Sequence, residues 1–292
     1  MFTGTGTALI TPFTEEGLID WDALAILVEE QGGVDFIVPC GTTGESSTLT
    51  HAEHGGVIEF VVIRAAGRIP VLAGTGSNST QEAVALTQAA KQVGADGALV
   101  VSPYYNKPSQ AGILDYYRQV AKAGLPIILY DIPGRCGGQG VTAETILTLA
   151  KEGAIIGLKW ASGNWEQLQD VLANGSKEFI VLAGDDNLTY PAMCLGAMGV
   201  ISVLANLRPK DMVALTCAMN TGHHDHGRKL HYKMRPLMQA MFIETNPVPV
   251  KTAMAMIYPE VFQEIFRSPL VPMEGTNRMR LKHLLKQCGI LK

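Results

Sequence analysis

From the start of the chain to about residue 206, short apolar runs alternate with longer amphipathic stretches. The runs span 5–12, 36–41, 71–76, 98–103, 126–133, 155–162, 179–184 and 199–206. They are rich in Val, Ile and Leu and lack strict polar alternation, the pattern of strands buried on both faces of a parallel sheet. The stretches between them carry helix entry signals. Asp20 precedes a helical pattern through Trp21, Leu24 and Leu27, and Thr50–Glu53 and Ser79–Glu82 have capping-box spacing. Thr142 before Glu144 resembles them. Eight strand–helix units without a break in composition predict an α/β chain closed as a (β/α)8 TIM barrel. A doubly wound open sheet would place a glycine-rich loop after its first strand, whereas Gly4-Thr5-Gly6 lies before it.

After residue 207 the pattern turns wholly helical, over roughly 211–241, 248–257 and 275–288, with breaks at Asn246-Pro247-Val248-Pro249 and around Pro269 and Pro272. This predicts 1–206 as the barrel and 207–292 as additional C-terminal helices that complete it and pack on it.

Composition narrows the function. At 292 residues and 47% hydrophobic, the chain can bury one large barrel core. A net charge of −4 offers no basic patch for nucleic acid, and no apolar run is long enough for a membrane span. Met1-Phe2-Thr3-Gly4-Thr5-Gly6 shows no basic n-region followed by an apolar stretch, so secretion is not expected. Its five scattered cysteines form no CxxC, which points to reduced thiols and a cytoplasmic location.

In this fold, functional groups gather at the C-terminal ends of strands. The sixth run places Lys159 inside Ile155-Ile156-Gly157-Leu158-Lys159-Trp160-Ala161-Ser162. Burial there lowers the amine's pKa toward neutrality and frees it to attack a ketone. The competing expectation is a lysine that reaches the rim or pairs with Asp185 or Asp186. Gly41-Thr42-Thr43-Gly44-Glu45 forms a tight loop whose N–H groups can cradle a carboxylate, or else a plain turn. Tyr130 can pass protons, and Arg135, five residues on, can hold a carboxylate bidentately. Tyr104 and Tyr105, between Pro103 and Pro108, suit a lid or a subunit contact. His223-His224-Asp225-His226 reads as a solvated turn rather than a metal site, and Gly184-Asp185-Asp186 as the seventh turn.

Taken in order, these segments resemble the pyruvate-dependent class I aldolase family that contains dihydrodipicolinate synthase and N-acetylneuraminate lyase. The likeness runs from Phe2-Thr3-Gly4 and Thr11-Pro12-Phe13 through the segments above to Gly199-Val200-Ile201-Ser202 and Asn246-Pro247-Val248-Pro249-Val250-Lys251. It is nearest to the synthase branch: Thr42-Thr43 stands where the lyases usually show Ser-Thr, and Arg135 and Tyr105 match that branch. The resemblance implies condensation of pyruvate with L-aspartate 4-semialdehyde, the first step of the diaminopimelate and lysine pathway. Lys159 would form the Schiff base, with Tyr130, Thr42 and a neighbouring subunit's Tyr105 as a proton relay. Thr43 would hold the pyruvate carboxylate, Arg135 that of the second substrate, and the Ile201 carbonyl would lie near the amine. No metal or organic cofactor is implied, because the lysine supplies the electron sink.

A homotetramer, a dimer of dimers, is the form the resemblance implies. It further implies an L-lysine effector site at Ser46, Ser47, His51, His54, Asn78, Glu82 and Tyr104. Both histidines would share one helix face. Trp160, Asp131 and Cys136 depart from the residues usual in the family. Strand alternation turns Trp160 toward the helices, so its departure should change packing rather than chemistry. The alternatives are lyases of the same family, acting on N-acetylneuraminate or a 2-keto-3-deoxy sugar acid, and a catalytically silent barrel with a regulatory role.

Overall fold

In the computed structural model, which describes residues 1–291, the eight predicted apolar runs form eight parallel strands. They are β1 (Gly4–Ala8), β2 (Phe36–Val38), β3 (Leu72–Gly74), β4 (Gly97–Val101), β5 (Ile127–Asp131), β6 (Gly157–Trp160), β7 (Ile180–Ala183) and β8 (Gly199–Ser202). Their order is β2-β1-β8-β7-β6-β5-β4-β3. The ring closes between β2 and β3 through a single bridge, Ile37 to Val71, with the Ile37 N–H donating to Pro70 O at 2.9 Å. A second thin joint lies between β7 and β8, where only Ala183 and Val200 stand in register. The other neighbours run in register over three or four residues.

Alternation sorts the strand side chains into two cores. Ala8, Phe36, Val38, Leu72, Leu99, Ile128, Tyr130, Leu182 and Ile201 fill the barrel, while Leu129, Leu158, Trp160, Val181, Ala183 and Val200 pack outward against helices. Trp160 is sealed on that outer side. Its ring lies 4.8 Å from that of Trp165, and its Nε1–H donates to Asn164 O at 3.2 Å. The expectation for its orientation is met.

Helices α1 (Trp21–Glu30) to α7 (Thr189–Leu195) follow the first seven strands: α2 (His51–Ala65), α3 (Thr80–Gln92), α4 (Gln110–Ala121), α5 (Ala143–Lys151) and α6 (Trp165–Asn174) lie between. Asp20 caps α1, and Thr50 and Glu53 form the complete capping box of α2. Ser79 accepts from the Glu82 N–H, but the Glu82 carboxylate turns away to His51 and Ser77, so this box stays half-made. Thr142 caps α5 through Thr145, not Glu144, because the third helical residue is the one whose N–H faces the cap.

The eighth unit closes with α8 (Pro209–Asn220), and α9 (His224–Ala240), α10 (Val248–Ile257) and α11 (Gly275–Gln287) follow. The predicted helical stretch 211–241 is therefore two helices. It breaks at Thr221-Gly222-His223, where Gly222 takes a φ of 78°. His224, Asp225 and His226 open α9 and are exposed, and among the described residues no group of three or more His, Cys, Asp or Glu is placed to hold a metal ion. All five cysteines are free thiols. No helix among the described residues is long and apolar enough to cross a membrane.

Candidate active site

Tyr130 and Lys159 are register partners on β5 and β6, both facing the barrel interior near the strands' C-terminal ends. Lys159 is 6% exposed, and its Nζ lies 4.0 Å from the centre of the Tyr130 ring. Burial lowers the amine's pKa to about 8; Asp185 and Asp186 oppose the shift, and Arg135 adds to it. Among the described residues Lys159 forms no ion pair. The alternative pairing with Asp185 or Asp186 does not form. Asp186 is committed elsewhere: Oδ2 accepts from the Val203 and Leu204 N–H groups at 3.1 and 2.9 Å, tying the seventh turn to the eighth. Burial raises its pKa to about 6.

Tyr130 is likewise buried, which pushes its phenol well above the usual range, while the nearby Thr42 side chain and the charge of Arg135 pull it back. Thr42 thus lies near the Tyr130 phenol. Thr43 is buried, and its Oγ1 accepts from Asn246 Nδ2 at 3.0 Å. Asn246 O accepts from Arg135 Nη2 at 3.1 Å. Asn246 therefore joins the threonine loop to the arginine. Ile201 lies fully buried in the same inner core as Tyr130.

Four residues that hold this site were missed as site residues from the sequence: Asn246, Glu45, Lys251 and Arg267. Glu45 ends the threonine loop and is 2% exposed. Its Oε1 accepts from Lys251 Nζ at 2.5 Å, and its Oε2 from the Arg267 N–H at 3.3 Å. Lys251 Nζ also lies 4.2 Å from the Phe13 ring centre and 5.1 Å from that of Phe266. The Arg267 guanidinium forks onto Glu53 at 2.8 and 2.6 Å and holds its carboxyl down to about 2. Asn246 and Lys251 were visible in a family-like segment, but their partners lie 203 and 206 residues away. No local pattern reports such a pairing.

The remaining predicted residues separate into groups. His51 Nε2 and Glu82 Oε1 are 2.7 Å apart, and Glu82 also contacts Ser77 Oγ. Asn78 O accepts from Asn106 Nδ2 at 2.8 Å, joining the turns after β3 and β4. Tyr104 is near Tyr116, whose hydroxyl donates to Ser77 O. His54 departs from the expectation of a shared face: it is buried against the Gly74 backbone while His51 is exposed, and burial lowers its pKa. Ser46 and Ser47 start a 3-10 turn (Ser46–Thr48) without a side-chain link to this cluster. Tyr105 stands apart, 88% exposed, with a φ of 71°. Asp131 faces outward, accepting from Gln167 Nε2 and the Val141 N–H, and Cys136 is buried against Ser102. Both departures from the family pattern serve packing around the fifth strand.

The fold and this site define a (β/α)8 barrel protein built around a desolvated, unpaired lysine. The chain belongs to the dihydrodipicolinate synthetase family, whose family model matches residues 1–288. It is 47% identical over 295 residues to the 4-hydroxy-tetrahydrodipicolinate synthase of Thermodesulfovibrio yellowstonii, covering 100% of each chain. Among solved structures, it is similar to dihydrodipicolinate synthase from Aquifex aeolicus at a TM-score of 0.96 and 46% identity, over 99% of both chains. It is also similar to a DHDPS from Cyanidioschyzon merolae with lysine bound, at a TM-score of 0.95 and 36% identity, over 99% of both chains.

Proposed function

We propose that the chain condenses pyruvate with L-aspartate 4-semialdehyde to form 4-hydroxy-tetrahydrodipicolinate through an imine on Lys159. The observation that carries this is an amine sealed from water, without an ion-pair partner, over the ring of a strand-end tyrosine. Family membership and the named relatives support the choice of substrates.

The steps follow from the groups in place. Neutral Lys159 Nζ attacks C2 of pyruvate, and water leaves to give an iminium. A methyl proton is lost from C3, the electron pair becomes an enamine, and C3 adds to the aldehyde carbon while its oxygen takes a proton. The substrate's own amine then attacks C2, closing the ring and releasing Lys159. Tyr130 and Thr42 move the protons, with Tyr105 supplied by a second copy of the chain. Thr43 and its loop N–H groups hold the pyruvate carboxylate, Arg135 holds that of the semialdehyde, and the Ile201 carbonyl lies by the amine. Borohydride with pyruvate should fix an adduct on Lys159, read by mass spectrometry, and both substrates together should yield the cyclic product. An adduct elsewhere, or none, sinks the imine; cleavage of N-acetylneuraminate without condensation moves the chain to the lyase branch.

Tyr105, on its exposed loop, completes a neighbour's site, so the working form is at least a dimer, and the family's usual form is a homotetramer of paired dimers. A fully active monomer in sedimentation removes that role. L-lysine inhibits at the His51–Glu82 cluster, where a carboxylate can take an ammonium group. Initial rates against L-lysine should fall for the parent and not for Glu82→Ala. A parent insensitive at millimolar lysine ends this part alone.

A further inference from the structure

We propose that the buried Glu45–Lys251 pair is a positioning device: it clamps the threonine loop to α10 so that Thr42 stays beside Tyr130. This rests on the imine chemistry proposed above. The loop runs against backbone preference, with φ of 55° at Cys40 and 53° at Glu45, in the left-handed region that non-glycine residues hold only where surroundings impose it. Its internal hydrogen bonds, from the Gly44 N–H to Gly41 O and from the Glu45 N–H to Thr42 O, close the turn without fixing where the turn sits.

Placement comes from outside. Thr11 Oγ1 donates to Gly44 O at 2.7 Å from the β1 side. The C-terminal segment grips the other side twice, through Asn246 on Thr43 and Lys251 on Glu45, while the Arg267 N–H takes the second Glu45 oxygen. The Lys251 ammonium is sandwiched by Phe13 and Phe266, so neither charge has water to relax into. Stability alone is a poor reason for such a pair, since apolar residues of like size often serve a core as well. A short, fully desolvated ion pair does one thing an apolar contact does not: it fixes distance and direction. Glu45 touches neither substrate nor Lys159, so its effect passes through Thr42 and Thr43.

The test uses the full-length protein with Glu45→Gln and Lys251→Met combined, which removes both charges at similar volume. Glutamine keeps an acceptor for the Arg267 N–H. Two steps are read apart: adduct formation on Lys159 by borohydride trapping, and exchange of pyruvate methyl protons for deuterium without aldehyde. The double variant should recover most of the thermal stability that either single substitution loses and still form the adduct. Its methyl exchange should fall on the order of 10²-fold, the scale of a displaced proton-transfer group. A merely structural pair would move the unfolding midpoint and leave exchange at the parent's rate, and that result overturns the proposal. If the double variant does not fold, Glu45→Asp keeps the charge and shortens the arm by one methylene. It should show the same split between adduct and exchange, and parental exchange again overturns the proposal. A parent that forms neither adduct nor exchanged pyruvate brings down the imine chemistry itself. A parent that does both while the variants match it brings down only the positioning role.

Discussion

The molecule buries two lysines in opposite ways. Lys159 and Lys251 are 6% and 1% exposed, and burial draws the pKa of each below lysine's ordinary range. Lys251 meets a carboxylate at 2.5 Å between two phenylalanine rings. Lys159 has only the face of Tyr130, with Asp185 and Asp186 acting on it from beyond ion-pair contact. Desolvation is therefore common to both and marks neither as reactive. What separates them is the partner: a paired ammonium is a strut, whereas an unpaired amine keeps its lone pair within reach of an electrophile.

The sharpest break of this comparison is Lys159→Met. It should abolish condensation, by at least ~10⁴-fold as for loss of a nucleophile, while stability holds or rises because an uncompensated buried amine is gone. Steady-state rates and urea unfolding read the two effects. Lys251→Met should do the reverse in stability, costing about 3–5 kcal/mol by stranding Glu45 in the core. An unfolding midpoint equal to the parent's would show that the pair is dispensable.

A third effect is graded by pH. Adduct formation should rise roughly tenfold per unit up to about pH 8 and then level, as Lys159 loses its proton. The folded pKa of about 8 lies below the ordinary 10.5, so between these values the unfolded chain holds a proton that the folded chain has released. Stability contributed at this site is thus lowest below pH 8 and rises toward pH 10.5. The parent should gain stability relative to Lys159→Met across that window, in urea titrations at its two ends; a constant difference contradicts the lowered pKa. The smallest effect belongs to the outward neighbour. Trp160→Phe should cost about 1 kcal/mol for its lost hydrogen bond. It should leave kcat within about twofold of the parent, since strand alternation faces it to the helices.

Lys159 was legible in the sequence because a lysine within an apolar strand contradicts its surroundings, and contradiction is a local signal. The strands were legible for the same reason of locality, and so was the outward turn of Trp160. Lys251 was not: in the helical pattern of α10 it looks like any polar position, and only the fold brings Glu45 to it across 206 residues. The split of the 211–241 stretch rested on one glycine, which a helix tolerates until its φ is known. The burial of His54 likewise depended on where β3 runs beneath α2, since helix spacing sets only relative direction.

The two thin joints of the barrel, Ile37 to Val71 and Ala183 to Val200, divide the ring into two arcs. One, β3 to β7, carries the amine and the phenol; the other, β8-β1-β2, carries the hydroxyl loop and Ile201. The candidate site straddles the divide, where few backbone hydrogen bonds cross: Gly74 N–H to Pro39 O at 2.9 Å on one side, Met198 N–H to Val181 O at 2.7 Å on the other, with Asp186 bridging to the eighth turn. A further stitch crosses the mouth, from Thr43 through Asn246 to Arg135. Asn246 belongs to the segment leading into α10, so the late helices act as the buckle of a two-piece hoop. Shortening the chain before residue 246 would leave every strand present and the mouth without its Thr43–Asn246–Arg135 stitch.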